Sequence, residues 1–255
     1  MQNLGQHPVN NAAETIERLS LLTWPGVESV EFQGWRLRFA GAKGHRPNSV
    51  AVLDFSGPDL EVAIAHVEAA YAARGLKPMF ALHPAAKPAA LEKMLDVRGY
   101  RAEGHSLVYT AQASEIAEAS SDVRFDAPED FARLVRLGSK SPEDGEERLA
   151  VVARLAIPNT AAVAFHEGVG RACGHIGLAH DGDMKMAAIN LVRTDPSFRR
   201  CGLARKVVQA LAGWAQNQAC DFLTLCVEET NTPARRLYES LGFKALYGYH
   251  YRVKG

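Results

Sequence analysis

The residues best suited to chemistry lie together in Leu191-Val192-Arg193-Thr194-Asp195-Pro196-Ser197-Phe198-Arg199-Arg200-Cys201-Gly202-Leu203-Ala204-Arg205. A largely apolar strand runs into an Asp-Pro turn, then two arginines, then a glycine that opens a helix. The first turn of an α-helix leaves backbone N–H groups without internal partners, and the macrodipole adds partial positive charge at the same place. A diphosphate fits there, provided no side chain blocks its approach. Gly202 and Ala204 supply that clearance, while Arg199, Arg200 and Arg205 add positive charge. Behind the loop, Leu203, Val207, Leu211 and Trp214 form a continuous apolar stripe that anchors the helix. No GK[ST] follows, so Walker-type triphosphate hydrolysis is disfavoured, and the spacing is not G-x-G-x-x-G either. The residues alone leave two readings open, an anion site at a helix N-terminus and a solvated basic turn.

The elements that must position this loop are legible from periodicity and turn residues. A helix over residues 11–22 is stopped by Trp24-Pro25-Gly26, and residues 1–10 are mostly polar and expected to be loose. Strands are expected over residues 27–32 and 35–40, with Gln33-Gly34 as a hairpin turn, and over 49–55. A helix (58–74), a strand (79–82), a helix (87–97) and a strand (106–110) follow, and residues 111–122 are rich in Ala and Ser and form a connector. The second series runs as a short strand (123–125), helices (128–138 and 143–155) and strands (161–167, 171–180 and 184–193). It closes with a helix (202–217), a strand (222–227), a helix (232–241) and a strand (243–253). Both halves thus end as three strands, helix, strand, helix, strand. The ends also align without a gap, Leu91-Glu92-Lys93-Met94-Leu95-Asp96-Val97-Arg98-Gly99-Tyr100 lying over Ala234-Arg235-Arg236-Leu237-Tyr238-Glu239-Ser240-Leu241-Gly242-Phe243. That register suggests an internal duplication.

Composition narrows the classes. The 255 residues suit one large or two modest domains. Lys plus Arg equals Asp plus Glu at 29 each, which argues against a sequence-independent nucleic-acid binder. No signal-peptide pattern and no run of eighteen apolar residues occurs, so neither secretion nor a membrane helix is expected. Cys173, Cys201, Cys220 and Cys226 form no CxxC pair and no familiar zinc spacing, so reduced thiols in a cytoplasmic protein without a metal are expected.

Two blocks resemble the GNAT acetyltransferase superfamily. Arg199-Arg200-Cys201-Gly202-Leu203-Ala204 matches its [Q/R]-x-x-G-x-[G/A] loop. Asn231-Thr232-Pro233-Ala234-Arg235-Arg236-Leu237-Tyr238-Glu239-Ser240-Leu241-Gly242-Phe243 is similar to its N-x-x-A-x-x-[L/F]-Y-x-x-x-G-F block, in the family's order and with a helix and a strand between. The clear match covers residues 184–253. The resemblance implies an α/β (α+β) fold of two GNAT-like units, each a mixed, mostly antiparallel, splayed sheet flanked by helices. Residues 1–115 would form a degenerate, non-catalytic unit and residues 120–255 the catalytic one. In the latter, strand 184–193 would part from strand 222–227 to admit acetyl-CoA. Backbone groups of Leu191, Val192, Arg193 and Thr194 would hold the pantetheine arm, and the loop of Arg199, Arg200, Cys201, Gly202, Leu203, Ala204 and Arg205 the pyrophosphate. Asn231 would bind from the opposite wall. Family chemistry is direct attack of a neutral amine on the thioester, with Tyr238 as the acid that protonates the leaving thiolate. A phenol of pKa about 10 is protonated at neutral pH and can do this. Glu228, Glu229 and Asp195 lie near the cleft strands and are considered as the base; plain loop carboxylates remain the simpler reading.

The first half lacks these motifs. Asp54-Phe55-Ser56-Gly57-Pro58-Asp59-Leu60-Glu61 is acidic where the working loop is basic, and Pro58 removes a donor. Pro88 falls opposite Asn231, and Leu95 opposite Tyr238. The expectation is a repeat that packs on the second half and shapes its acceptor pocket. Gly34-Trp35-Arg36-Leu37-Arg38-Phe39 with Arg46-Pro47-Asn48-Ser49-Val50 resembles the N-terminal half of certain bacterial two-repeat GNAT proteins; Trp35, Asn48 and Ser49 would line the interface or acceptor site, or simply be core and turn. Tyr247, Tyr249 and Tyr251 share one face of the last strand with His250 and Arg252 on the other; either face could reach the cleft mouth, and core packing of the tyrosines is the simpler reading. The acceptor would be a small-molecule amine or a protein amino group, taken without nucleic acid or membrane, by a monomer or homodimer. A silent acyl-CoA-binding sensor and a transferase using aminoacyl-tRNA are the competing readings. Tyr238 disfavours the first and neutral net charge the second.

Overall fold

The computed structural model describes residues 9–41 and 44–255. The first half comprises α1 (Val9–Thr23), β1 (Glu28–Phe32), β2 (Trp35–Phe39), β3 (Val50–Ala51), α2 (Leu60–Ala72), β4 (Met79–Leu82), α3 (Leu91–Val97) and β5 (Tyr100–Ala111). A short helix, α4 (Ala113–Ile116), leads to β6 (Val123–Arg124), α5 (Pro128–Leu137), α6 (Pro142–Val152), β7 (Asn159–His166), β8 (Val169–Asp181) and β9 (Met184–Thr194). The chain ends with α7 (Leu203–Asn217), β10 (Phe222–Glu228), α8 (Thr232–Ser240) and β11 (Lys244–Lys254).

The hairpin of β1 and β2 turns on Gln33 and Gly34, both with positive φ (50° and 83°), the geometry that matches the twist of adjoining strands. All the strands join one open sheet in the order β1-β2-β3-β4-β11-β5-β10-β9-β8-β7-β6. Only β3 with β4 and β9 with β10 run parallel; the remaining neighbours are antiparallel. The architecture is therefore mixed, mostly antiparallel and flanked by helices. It is also continuous. β11 enters between β4 and β5, and β5 lies between β11 and β10, so the last strand of each half sits inside the other half's part of the sheet. Each unit thereby covers an edge that would otherwise expose unpaired N–H and C=O groups.

Helices cover both faces. Packing of α2 and α3 on the first half buries Trp35, Ile64, Tyr71, Phe80, Leu91 and Leu95. On the second half, α7 closes over Leu223, Leu225 and Val227 of β10, and α5 and α6 close over Cys173 and Leu191. α1 belongs by sequence to the first half but packs Ile16 and Leu19 in one cluster with Ala179, Met186 and Phe222 of the second. Tyr247, Tyr249 and Tyr251 are buried in that cluster, and Tyr247 Oη donates to Glu17 Oε1 on α1 at 2.8 Å. No described helix is long and apolar enough to cross a membrane.

Several expectations need adjustment. The third strand is paired only over Val50–Ala51 rather than 49–55, because the chain turns at Asp54, whose φ is 51° and whose carboxylate pairs with Arg18 at 2.6 Å. β5 starts at Tyr100, well before the apolar run at 106, because β11 supplies a partner as far as Lys254↔Tyr100. The connector over 111–122 contains α4, whose Ala113 and Ile116 are buried in the α7 core. Of the loose segment expected over residues 1–10, residues 1–8 lie outside the described residues, and Val9 and Asn10 begin α1.

Candidate active-site cleft

β9 and β10 are paired from Phe222↔Met186 to Leu225↔Ile189 and no further. The cause lies in β9. Its register against β8 shifts between Cys173 and His175, and Leu191 takes a φ of 53°. Such a bulge bends and twists the strand that carries it, here away from β10. Because the two strands are parallel, they part at their C-terminal ends, where the chain leaves β9 for α7 and β10 for α8. Topology therefore brings two helix N-termini to one opening.

The N-terminus of α7 is bare. Its N-cap, Gly202, has a φ of 76° and no side chain caps the first turn. A Cβ built on Gly202 would meet nothing within 4 Å, so the approach is open, and the left-handed conformation itself favours glycine. Arg200 precedes it with a φ of 64°. Arg199, Arg200 and Cys201 are exposed, Leu203 is buried as the anchor, and Ala204 is half-buried. Arg205 donates to Ser240 Oγ at 2.6 Å, tying this end of α7 to the last turn of α8. At the start of α8, Asn231 Oδ1 accepts from Ala234 N at 3.3 Å, so its amide N–H groups face other duties.

Between the parted strands lies a cleft of about 380 Å³. Of the residues expected in the site, Leu191, Val192, Arg193, Asn231 and Tyr238 line it. Thr194 and residues 199–205 do not; they form the strand end and loop beyond that lining. The sequence reading missed half the wall. His45 and Arg46 from the first half, Ser106 of β5, Lys140 after α5 and Cys226 of β10 all line the cleft; Tyr249 and Tyr251 join them, on the strand that the sequence allowed to reach the cleft mouth. Arg46 stood within the segment singled out for the first half, but nothing local ties it to Cys226, whose Sγ accepts from Arg46 Nη1 at 2.6 Å. The expected neighbours of Arg46 divide. Trp35 is wholly buried away from the cleft, its Nε1 donating to Lys87 O at 3.0 Å. Asn48 bridges the halves, donating to Glu147 Oε1 on α6 at 3.1 Å, while Ser49 Oγ accepts from Arg38 at 2.8 Å.

The electrostatics separate the titratable groups. Burial pushes the Tyr238 phenol up to about 12, against a lowering by the nearby Arg193 charge, so it stays protonated at physiological pH. Burial, helped by the Lys140 charge, holds His45 below the ordinary imidazole value, with Glu103 and Glu228 opposing, so the ring is neutral near pH 7. His45 stacks on Tyr251 with centroids 5.1 Å apart and an interplanar angle of 19°. Of the three carboxylates considered as bases, Glu228 alone lines the cleft, 3.9 Å from Lys140 Nζ. Asp195 is held by Arg171 at 3.0 Å and accepts from Ser197 N at 3.0 Å, which commits it to shaping the turn. Glu229 donates its backbone N–H to His105 O at 2.9 Å and lies outside the lining. Among the described residues no group of His, Cys, Asp and Glu is arranged to hold a metal ion.

Residues 131–243 match the model of the Acetyltransferase (GNAT) family. A probable histone acetyltransferase of Mycobacterium tuberculosis is 28% identical over 239 residues, covering 93% of this chain and 72% of the relative. Among solved structures, a GCN5-related N-acetyltransferase from Kribbella flavida superposes with a TM-score of 0.71 at 16% identity, covering 95% of each chain. A tandem GNAT protein from the clavulanic acid biosynthesis pathway superposes with a TM-score of 0.58 at 8% identity, over 76% of this chain and 68% of its own. The last two similarities concern the fold.

Proposed function

Residues 131–243 match the GNAT acetyltransferase family, and on that premise we propose that the chain moves an acetyl group from acetyl-CoA to a primary amine by direct attack within a ternary complex. One observation carries this reading. The parting of β9 from β10 after Ile189 and Leu225 opens a cleft that contains Tyr238, and the chain leaving β9 at that opening leads to the bare N-terminus of α7. In this reading the unpaired edge of Leu191, Val192, Arg193 and Thr194 holds the pantetheine arm. The pyrophosphate rests on the first-turn N–H groups behind Gly202, with Arg199 and Arg200 adding charge. Leu203 and Ala204 continue that turn, Cys201 and Arg205 flank it, and Asn231 offers its amide N–H groups from the far wall.

Tyr238, kept protonated by its burial, gives its proton to the departing CoA thiolate. The amine must first lose a proton, and an imidazole that is already neutral suits that step. His45, from the first half, is on the cleft wall in that state. The first half is then a non-catalytic repeat that walls the acceptor side. The mirror-like strand order about β5 and β11 supports a duplication, as do the matched glycines that end α3 and α8, Gly99 and Gly242, with φ of 79° and 98°. The relative named as a histone acetyltransferase supports a protein amino group as one class of acceptor, beside small amines.

The test is calorimetric titration with acetyl-CoA followed by a thiol-release screen over amines and peptides. One molecule bound per chain and amine-dependent thiol release are expected. Absence of binding refutes the reading, and binding without turnover of any amine favours a sensor.

A further inference from the structure

The Arg193 side chain is a cation on the cleft wall that the catalytic reading leaves without work. On that reading the backbone of β9 serves the donor, whereas the guanidinium projects toward the turn after α5. There a Cβ on Gly138 would come within 2.4 Å of Arg193 Cδ, so the glycine makes room for the stem. Among the described residues no carboxylate lies within 4.0 Å of Arg193, its Nε is buried without a hydrogen-bond partner, and Nη1 donates to the neighbouring Val192 O at 3.1 Å. Burial, foremost, and the Arg148 charge disfavour its protonated form, and Cys173, Tyr238 and Asp144 only partly offset them.

The carboxylates around it make their hydrogen bonds elsewhere, although Asp144 and Arg193 feel each other's charge. Asp144 accepts from Arg148 Nε at 3.0 Å and from Lys140 N at 3.0 Å. Glu147 accepts from Gly44 N at 3.0 Å and from Asn48 Nδ2. Glu228 faces Lys140, and Glu17 lies 3.6 Å from Arg46. A desolvated guanidinium with an unmade hydrogen bond is costly unless something completes it, and its planar fork matches a carboxylate in two parallel bonds. A guanidinium with no hydrogen-bonded carboxylate calls for one negative charge; a dianion would also face Asp144 and Glu228.

Resting on the proposed acetyl transfer, we infer that the acceptor is an amine that itself carries a carboxylate, as an amino acid does, and that Arg193 docks this carboxylate. The N-terminal half then closes the pocket around the rest of the acceptor through His45 and Arg46. Tyr238 stands close enough to feel the Arg193 charge, so a carboxylate docked there places the neighbouring amine beside the leaving thiolate.

Two measurements test this. In the first, the twenty N-acetyl amino acids and their amides are titrated into the protein without acetyl-CoA, which reads the anchor independently of turnover. At least one acid is expected to bind about tenfold or more tighter than its amide, the worth of one charge-assisted bond. Arg193→Gln should erase that preference and Arg193→Lys retain part of it. Gly138→Val, which crowds the stem and keeps the charge, should weaken it. In the second, thiol release is compared for L-lysine against 1,5-diaminopentane and for amino acids against their amides. The ratio of KM values within each pair should favour the acid and collapse toward unity in Arg193→Gln. Thermal unfolding of each variant separates loss of the anchor from loss of the fold. The inference is overturned if no acid outbinds its amide, or if a lysine peptide flanked by basic residues outcompetes every carboxylated amine. It is also overturned if Arg193→Gln slows acid and amide equally while shifting the pH profile, since the arginine would then act on Tyr238. Amine turnover that ignores the carboxylate sinks this inference and leaves acetyl transfer standing, whereas failure to bind acetyl-CoA sinks the transfer reading and, with it, the acceptor inferred here.

Discussion

The two halves repeat one order of elements and treat the start of the equivalent helix in opposite ways. At α2 the N-cap Asp59 accepts from Glu61 N at 2.8 Å and Val62 N at 3.1 Å, so a carboxylate of the chain itself covers the first-turn N–H groups. At α7 the N-cap is Gly202, with nothing over it. The strands differ in the same sense. Beyond the short β3–β4 pairing, Lys87 N donates to Val52 O at 2.8 Å and bridges the space, while β9 and β10 stay apart. Leu95, opposite Tyr238 in the ungapped alignment, is wholly buried. One half closes with its own atoms the place where the other keeps an opening. Pro58, expected to weaken the first site by removing a donor, lies outside α2, so the Asp59 side chain does the blocking.

Substitutions can break or sharpen this contrast. The largest effect is expected from Tyr238→Phe, which should lower kcat on the order of a thousandfold, about 4 kcal/mol, in steady-state thiol release. Acetyl-CoA affinity should hardly move, because the phenol acts on the leaving group. Its counterpart should behave in the reverse way. Leu95→Ala should cost about 3 kcal/mol in chemical denaturation through the cavity it leaves, with acetyl-CoA affinity kept. Writing the first half's cap into the second, Gly202→Asp should weaken acetyl-CoA binding about a hundredfold by calorimetry, combining strain at positive φ with repulsion of the pyrophosphate.

Acid should find the second half through His175. Burial takes its pKa from 6.5 to about 4, so the unfolded chain binds a proton that the fold refuses. The difference vanishes well above pH 6.5 and destabilises the fold as pH falls toward 4; by pH 5 the loss amounts to about 2 kcal/mol. In His175→Gln the loss of stability between pH 7 and pH 5 should shrink by that amount, and an unchanged loss would remove His175 from the account. The smallest effect is expected at Asp59→Ala, about 1 kcal/mol of stability from the lost cap. Acetyl-CoA should still bind once per chain, since the bridged strands and Leu95 keep the first cleft shut.

Much of the second half could be read in advance because its signals are local. A glycine that must adopt positive φ, an Asn that caps a helix and a tyrosine two turns later all declare themselves within a few residues. The bulge at Leu191 escaped notice, since it exists only as a register shift against β8, and the residues carrying it look like any apolar strand. β5 was read short for a related reason. Its first residues are polar, and their strand character comes from β11, far along the chain.

By itself the sequence determined the order of elements, the bare helix start at Gly202 and the presence of Tyr238 on the helix beyond, because each depends on backbone preference or side-chain spacing over one or two turns. Tertiary structure decided the composition of the cleft. Exchange of β5 and β11 joins the halves into one sheet, brings Arg46 against Cys226 and sets His45 on the same cleft wall. Those contacts join residues up to 180 positions apart. Only the pairing of distant strands, which no local pattern encodes, sets which of them meet.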